Sequence, residues 1–424
     1  MNLKTCHKNI SYKKVFGIVV IASFITWLIA IIINPESIQR DLFYERMKDF
    51  WADATNTTGY AHNPNPYLDS SKGLMNVQYP PLAYALFYLL ARAAGTVSIP
   101  YVDYFYNPLW TFLFVMTLIV AITLMYTLII KKLGGSAKTE NVLVGMAICV
   151  SYPMLFTIER ANIVLIAALA VMIFVFYYDS ESKIKKEVAL ISLAFAAGLK
   201  LSPALFGILL IYNKDWKAAI RAIIYGLLFF IVPFFFFDGG LEVVKGFLNN
   251  FGLNLELEAS VRSLGINGIA KFYYGIVVRA LTGIYPDTFN ENLDTVISVI
   301  KYILTAVILI SGFFIKENWK KILNISIILI IIPEVSVKYC LLYIIPFIII
   351  FLKDHENCKK SSGEIFILLS SILICFDYRF ITTAYVNRPN LGLLILLFMA
   401  TFYSVCSIIS FIKNKNQQKL LRDM

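Results

Sequence analysis

Histidine is scarce in this chain of 424 residues: there are three, and only His62 falls outside the Lys/Arg-rich segments. No HExxH pair, no phosphate-cradling GxxxxGK loop and no GxGxxG turn occurs, so zinc-peptidase, P-loop and dinucleotide chemistry have no local carrier. The six cysteines (Cys6, Cys149, Cys340, Cys358, Cys375, Cys406) are scattered, mostly in apolar runs and never as CxxC. That spacing excludes a zinc or disulfide framework and leaves small buried hydrophobes. Charge is also thin, at 15% of residues against 59% hydrophobic. With a mean hydropathy of +0.72, a soluble domain is excluded.

What is present is a series of apolar runs near the length that a bilayer requires. They cover 15–33, 109–130, 141–157, 163–178, 220–237, 296–315, 322–332, 340–352, 365–376 and 391–412. With shorter segments included they predict an all-α polytopic bundle of about ten to twelve transmembrane helices. The first run is too long for a secretory signal and ends in Asn34-Pro35-Glu36, which is not a small-residue cleavage site. It reads as a retained first helix.

The net charge of +11 does not point to nucleic acid, because Lys and Arg fall in short clusters between apolar runs. The clusters at 4–14, 131–138, 183–186, 214–221, 316–321, 353–360 and 413–422 follow the positive-inside rule and should face the cytoplasm. Two longer polar segments, 34–79 and 238–291, carry both signs and are expected to be outer loops. Counting spans meets one conflict. If 80–95 and 104–130 both cross, Lys131 and Lys132 end up outside. Either 80–95 is a re-entrant or tilted half-span of about 24 Å, or 187–212 is one span interrupted by Lys200 and Pro203. The first is preferred.

The first outer loop holds the densest polar chemistry. Asp49 and Asp53 are four apart, on one face if the segment is helical, and Phe50, Trp51 and Tyr60 suit a bilayer interface. One reading is an amphipathic surface helix with solvated acids. The other is a general base at the membrane rim, where a carboxylate takes a proton from a hydroxyl. Charges also stand near predicted outer helix ends: Glu159, Arg160, Lys200, Arg262, Glu334, Lys338, Arg379 and Arg388. Singly these are anchors; several converging cations would make a phosphate site. Asn56-Thr57-Thr58 matches a glycosylation sequon, a pattern that also arises by chance.

In order along the chain stand Asp49-Phe50, Pro66-Tyr67, Tyr79-Pro80-Pro81-Leu82, Glu159-Arg160-Ala161-Asn162 and Ala197-Gly198-Leu199-Lys200-Leu201-Ser202-Pro203. This series resembles glycosyltransferase family 87, polytopic enzymes of the GT-C superfamily that use polyprenyl-phosphate sugars. The resemblance covers about residues 10–240 by motif and the rest by hydropathy. Two positions depart from it: Ala161 stands where family members commonly have glycine, and Leu201-Ser202 where an aromatic commonly follows the lysine.

The resemblance implies a GT-C-like N-terminal module, 1–240, with outer loop 34–79, and a C-terminal transmembrane region, 241–424, with outer loop 238–291. It implies an inverting transfer of a mannose-like hexose from a polyprenyl-phosphate donor to a glycan or lipid-linked acceptor. Asp49 matches the general base, with Asp53 as its backup. Arg160 and Lys200 match donor-phosphate ligands, Arg262 joins them by position alone, and Tyr79, Pro80 and Pro81 position the loop. No soluble cofactor is expected; a divalent metal shared by Asp49, Asp53 and a phosphate is compatible with the residues. The expected setting is a bacterial plasma membrane with the active site facing outward. The competing classes are a transporter or flippase, which would place its polar groups at the midplane, and a polysaccharide polymerase or ligase, which would use a lipid-pyrophosphate glycan.

Overall fold

The computed structural model describes residues 11–33, 51–63, 65–67, 78–96, 106–257, 263–284, 291–333, 336–356, 361–376 and 390–423. These residues form seventeen α-helices and no strand. Seventeen counts every helix, because several apolar runs are broken in two and the polar loops contain helices of their own; those long and apolar enough to cross a membrane are fewer than the ten to twelve transmembrane helices expected.

The N-terminal part comprises α1 (Tyr12–Ile33), α2 (Ala52–Ala61), α3 (Pro81–Ala93), α4 (Pro108–Leu133), α5 (Thr139–Cys149), α6 (Tyr152–Arg160), α7 (Val164–Tyr177), α8 (Lys183–Leu199), α9 (Ile208–Tyr212) and α10 (Trp216–Ile231). It continues with α11 (Leu241–Leu257), α12 (Ile266–Thr282), α13 (Glu291–Ser311), α14 (Asn318–Ile331), α15 (Ile345–Asp354), α16 (Ser362–Cys375) and α17 (Leu391–Asp423). Five stretches are long and apolar enough to cross a membrane: Tyr12–Ile33, Pro108–Leu133, Trp216–Phe236, Leu293–Ser311 and Leu391–Gln418. Counted as one broken span, the pair α5 and α6 makes a sixth, bent by 41° where Pro153 enters the first turn of α6 without an N–H.

The ends of these helices follow ordinary capping chemistry. Asn107 accepts the Trp110 N–H at 2.9 Å ahead of Pro108, and Gly134 closes α4 at φ 109°. Ser361 and Glu364 form a capping box on α16.

Side chains fix which ends share a face. The Lys13 ammonium, wholly buried, donates to the Leu133 carbonyl (3.4 Å), Asn141 Oδ1 (3.1 Å) and Glu356 Oε2 (2.9 Å). This gathers the start of α1, the end of α4, the start of α5 and the chain after α15. Lys132 adds the end of α7 through the Phe176 carbonyl at 2.8 Å. Tyr178 adds the start of α14 through Asn318 at 2.7 Å. An ion pair between Lys186 and Asp215 adds the start of α8 and the N-cap of α10. Each of these contacts has at least one partner in or beside a lysine-rich cluster, so they define a single basic face.

The two ambiguous segments are both half-spans. At its start α3 is tied to the face opposite the basic one, where the Tyr67 hydroxyl donates to the Tyr79 carbonyl at 2.8 Å. At its end the His62 ring meets the Thr96 carbonyl at 3.1 Å. Since His62 ends α2, both ends of α3 are held by the same surface layer, and α3 does not cross. The run 187–212 likewise turns back at Lys200: α8 rises from the basic face, and Ser202–Gly207 with α9 returns to it. Gly198 sits just below this turn, where an added Cβ would lie 2.9 Å from Leu82 and 3.1 Å from the Phe229 carbonyl. The glycine therefore permits α8 to press against α3 and α10.

Segment 238–291, expected as a loop, is largely helical as α11 and α12. Through Asn250, whose amide donates to the Tyr67 carbonyl at 3.0 Å, and Phe247, whose ring is 5.5 Å from that of Tyr67, α11 covers the Pro66-Tyr67 corner. The apolar core is continuous, and α7 is buried almost all round at its centre, as expected of a helix apolar on every face.

Candidate active site

The site lies at the face opposite the basic one, where the ends of α6 and α8 meet the start of α2 and the approach to α3. It begins with two strained residues. Trp51 has φ 60° and Ala161 φ 52°, both left-handed and neither glycine. Such geometry persists only where neighbours enforce it. The Trp51 N–H donates to the Glu159 carbonyl at 2.9 Å, and its ring packs 5.1 Å from Phe114 and 6.4 Å from Trp110. The expected interfacial role for Trp51 is thus replaced by a buried anchor. Trp51 is the left-handed N-cap from which α2 starts at Ala52; the expectation that Asp49 and Asp53 share a helical face falls on Asp49, which lies outside the described residues.

Between the strained residues stands the Asp53 carboxylate. Its Oδ1 accepts from Arg160 Nη2 (2.5 Å) and Nε (3.2 Å), and its Oδ2 accepts from Asn162 Nδ2 (2.6 Å). The same amide donates to the Tyr79 hydroxyl at 3.0 Å. Tyr79 is held in turn by its own N–H on the Tyr84 hydroxyl (3.2 Å) and by Tyr67 on its carbonyl. Pro80 is the N-cap of α3 and Pro81 opens it, so the Tyr-Pro-Pro stretch delivers the tyrosine into the site and starts the half-span at once. Burial, and then the Asp53 charge, raises the Tyr79 phenol above the ordinary tyrosine value. It therefore stays protonated as a donor.

Left-handed Ala161 explains why glycine suits that position: it lets the chain reverse between Arg160 on α6 and Asn162, whose Oδ1 accepts the Val164 N–H at 3.0 Å to open α7. Ala161→Gly is expected to stabilise the protein by about 1 kcal/mol, read as a higher thermal midpoint in detergent.

Lys200 approaches from the turn after α8. Its ammonium sits 4.8 Å from the Tyr339 ring centroid and 3.9 Å from Cys340 Sγ. It is half-buried, and among the described residues it has no carboxylate partner. Tyr339 and Cys340 arrive on the 3-10 segment Lys338–Ile344, together with buried Lys338, whose ammonium lies 5.3 Å from the Tyr152 ring. Tyr339 lies within electrostatic reach of Tyr79, Asp53 and Arg160.

Of the residues singled out from sequence, the structure brings together Asp53, Arg160, Tyr79, Pro80 and Pro81, with Lys200 beside the same cluster through Tyr339. Asp49, Arg262, Glu334, Arg379 and Arg388 lie outside the described residues. Asn162 was visible only as a motif neighbour of Arg160, and Tyr339 and Cys340 were missed. The signal for them was a lysine and a tyrosine opening an apolar run, which is costly unless they face a polar cavity. Among the described residues no group of three His, Cys, Asp or Glu is placed to hold a metal ion.

What the arrangement can do is bind an anion: one guanidinium is oriented by a carboxylate, and one ammonium rests on an aromatic ring with a thiol beside it. Residues 77–327, more than half of the chain, match the model of glycosyltransferase family 87. A search of curated proteins finds no match.

Proposed function

Because the chain belongs to glycosyltransferase family 87, a GT-C-type family of membrane glycosyltransferases, we propose that it transfers a mannose-like hexose from a polyprenyl-phosphate donor. The acceptor is a glycan or lipid-linked glycan at the outer face of a bacterial plasma membrane. The observation that carries the reading is the half-buried Lys200 ammonium, without a carboxylate partner among the described residues, in the same cluster as Arg160. A phosphate leaving group needs such donors already in place.

In the proposed reaction an acceptor hydroxyl attacks the anomeric carbon while the bond from that carbon to the phosphate oxygen breaks. Configuration inverts in this single displacement. Asp49 takes the hydroxyl proton as general base, and polyprenyl phosphate leaves with its added negative charge facing Lys200 and Arg160. Asp53 holds the Arg160 guanidinium in place, since both its oxygens already accept hydrogen bonds. Arg262 is proposed as a further cation of the donor site. The displacement as written draws on side chains alone.

The test is transfer by purified protein in nanodiscs from a panel of synthetic polyprenyl-phosphate hexoses, with a polyprenyl-pyrophosphate glycan alongside. Transfer from one monophosphate sugar, and none from the pyrophosphate glycan, is the expected result. Use of the pyrophosphate donor alone would replace this reading with a polymerase or ligase.

A further inference from the structure

The cation cluster draws on a part of the chain beyond the family match, which ends at residue 327. The segment 336–340 reaches the site from the far end of α14 and is pinned before it arrives. The Ser336 N–H donates to Ser263 Oγ at 2.9 Å, and the Leu264 N–H donates to the Ser336 carbonyl at 2.6 Å. Three residues later Tyr339 touches both cation-bearing elements. Its ring lies 4.8 Å from the Lys200 ammonium at the end of α8. It also stacks at 6.4 Å on Phe156, which stands four residues before Arg160 on α6 and hence on the same helical face.

We propose that Tyr339 is a positioning residue for the donor phosphate: its ring sets the Lys200 ammonium and, through Phe156, fixes α6 and its Arg160 relative to it. The inference rests on the polyprenyl-phosphate reading above and adds a residue to it. Two physical arguments support it. A lysine side chain has four rotatable bonds and strongly hydrated donors, so an ammonium that waits without a carboxylate needs another surface to hold it. A tyrosine ring supplies that surface without neutralising the charge, leaving it available to a phosphate. A carboxylate in the same place would hold the lysine equally well but would compete with the ligand.

The experiment compares wild type, Tyr339→Phe and Tyr339→Met, each alone and with Lys200→Met. Transfer kinetics are measured in nanodiscs, and polyprenyl phosphate binding is followed by thermal shift. Tyr339→Phe keeps the ring and should hold the donor KM within about twofold, whereas Tyr339→Met fills the space without it and should raise that KM roughly tenfold. The change in kcat should be smaller, because the phosphate is gripped before as well as during its departure. In the Lys200→Met background Tyr339→Met should add less than about twofold, since the grip it serves is already gone.

Unchanged donor KM in Tyr339→Met, or a full additive loss in the double variant, overturns the inference while leaving the transferase reading intact. Should Tyr339→Met fail to fold, Phe156→Leu probes the same contact from the other side, with the same tenfold rise expected and the same null result decisive. Wild type that binds polyprenyl phosphate through Lys200 yet transfers no sugar would remove the transferase reading and keep the cradle. Binding that ignores Lys200 would overturn the cradle.

Discussion

Asp49→Asn is expected to lower sugar transfer by about a hundred- to ten-thousand-fold, the range for loss of a positioned general base, while the protein still inserts and folds. The neighbouring acid is the reason for naming Asp49. Asp53 has both oxygens committed, one to Arg160 and the other to Asn162. A proton acceptor needs an oxygen turned toward the incoming hydroxyl, and Asp53 could offer one only by releasing those donors. The two acids should therefore fail in different ways. Asp49→Asn should depress kcat with little change in donor KM. Asp53→Asn should loosen the Arg160 guanidinium and raise donor KM as well. Steady-state transfer at varied donor, with size-exclusion profiles to establish folding, separates the two. Normal kcat in Asp49→Asn would move the base to Asp53 or elsewhere.

The largest effect on stability is expected at the other end of the molecule. Glu356→Ala should cost about 2 kcal/mol, below the range for breaking a fully buried ion pair, because it takes from the buried Lys13 ammonium a carboxylate that is itself a quarter exposed. Asn141 and the Leu133 carbonyl still accept from that ammonium, which keeps the cost from being higher. Lys13→Met in the same chain should recover most of the loss, since an apolar side chain there leaves no charge to compensate. Thermal midpoints of the three variants in one detergent decide it; equal midpoints for wild type and Glu356→Ala would mean that the pair holds nothing. The pH dependence follows in sign. Hydrogen bonds from Lys138 and then Lys13 hold the Glu356 carboxyl below the usual glutamate value. Its contribution is thus complete above the ordinary glutamate range and falls away as pH drops through the depressed folded value.

The membrane-spanning pattern was open to reading because burial in lipid leaves a local mark: every long apolar run became helix, and lysines of three separate clusters, Lys13, Lys132 with Lys138, and Lys186, stand on one face. The half-span α3 was legible from length alone, since sixteen residues or so of helix fall short of a ~30 Å core. Arg160 and Lys200 were singled out as charges near helix ends that match the motif positions of the family, Lys200 also because it stands beside a break in an apolar run. Trp51 was misplaced for an equally definite reason. Interfacial preference depends on composition, whereas its left-handed backbone is imposed by Glu159, which lies more than a hundred residues further along the chain. Tyr339 reaches Lys200 across 139 positions (339 minus 200), and no period or spacing records a meeting at that separation.

The two half-spans also bear on how the protein is made. α3 is bound to one surface layer at both ends, and the turn at Lys200 carries a cation between two apolar segments that return to one face. The turn at Lys200 cannot satisfy its broken backbone in lipid alone, because non-helical chain at that depth requires protein around it, and the short α3 packs against the same walls. Their walls are α4, α7 and α10 together with the segment Lys338–Ile344, much of which is synthesised later. The cation cluster at Arg160 and Lys200 is accordingly a product of packing after insertion: the chain as far as residue 344 must be delivered before the walls around it can close.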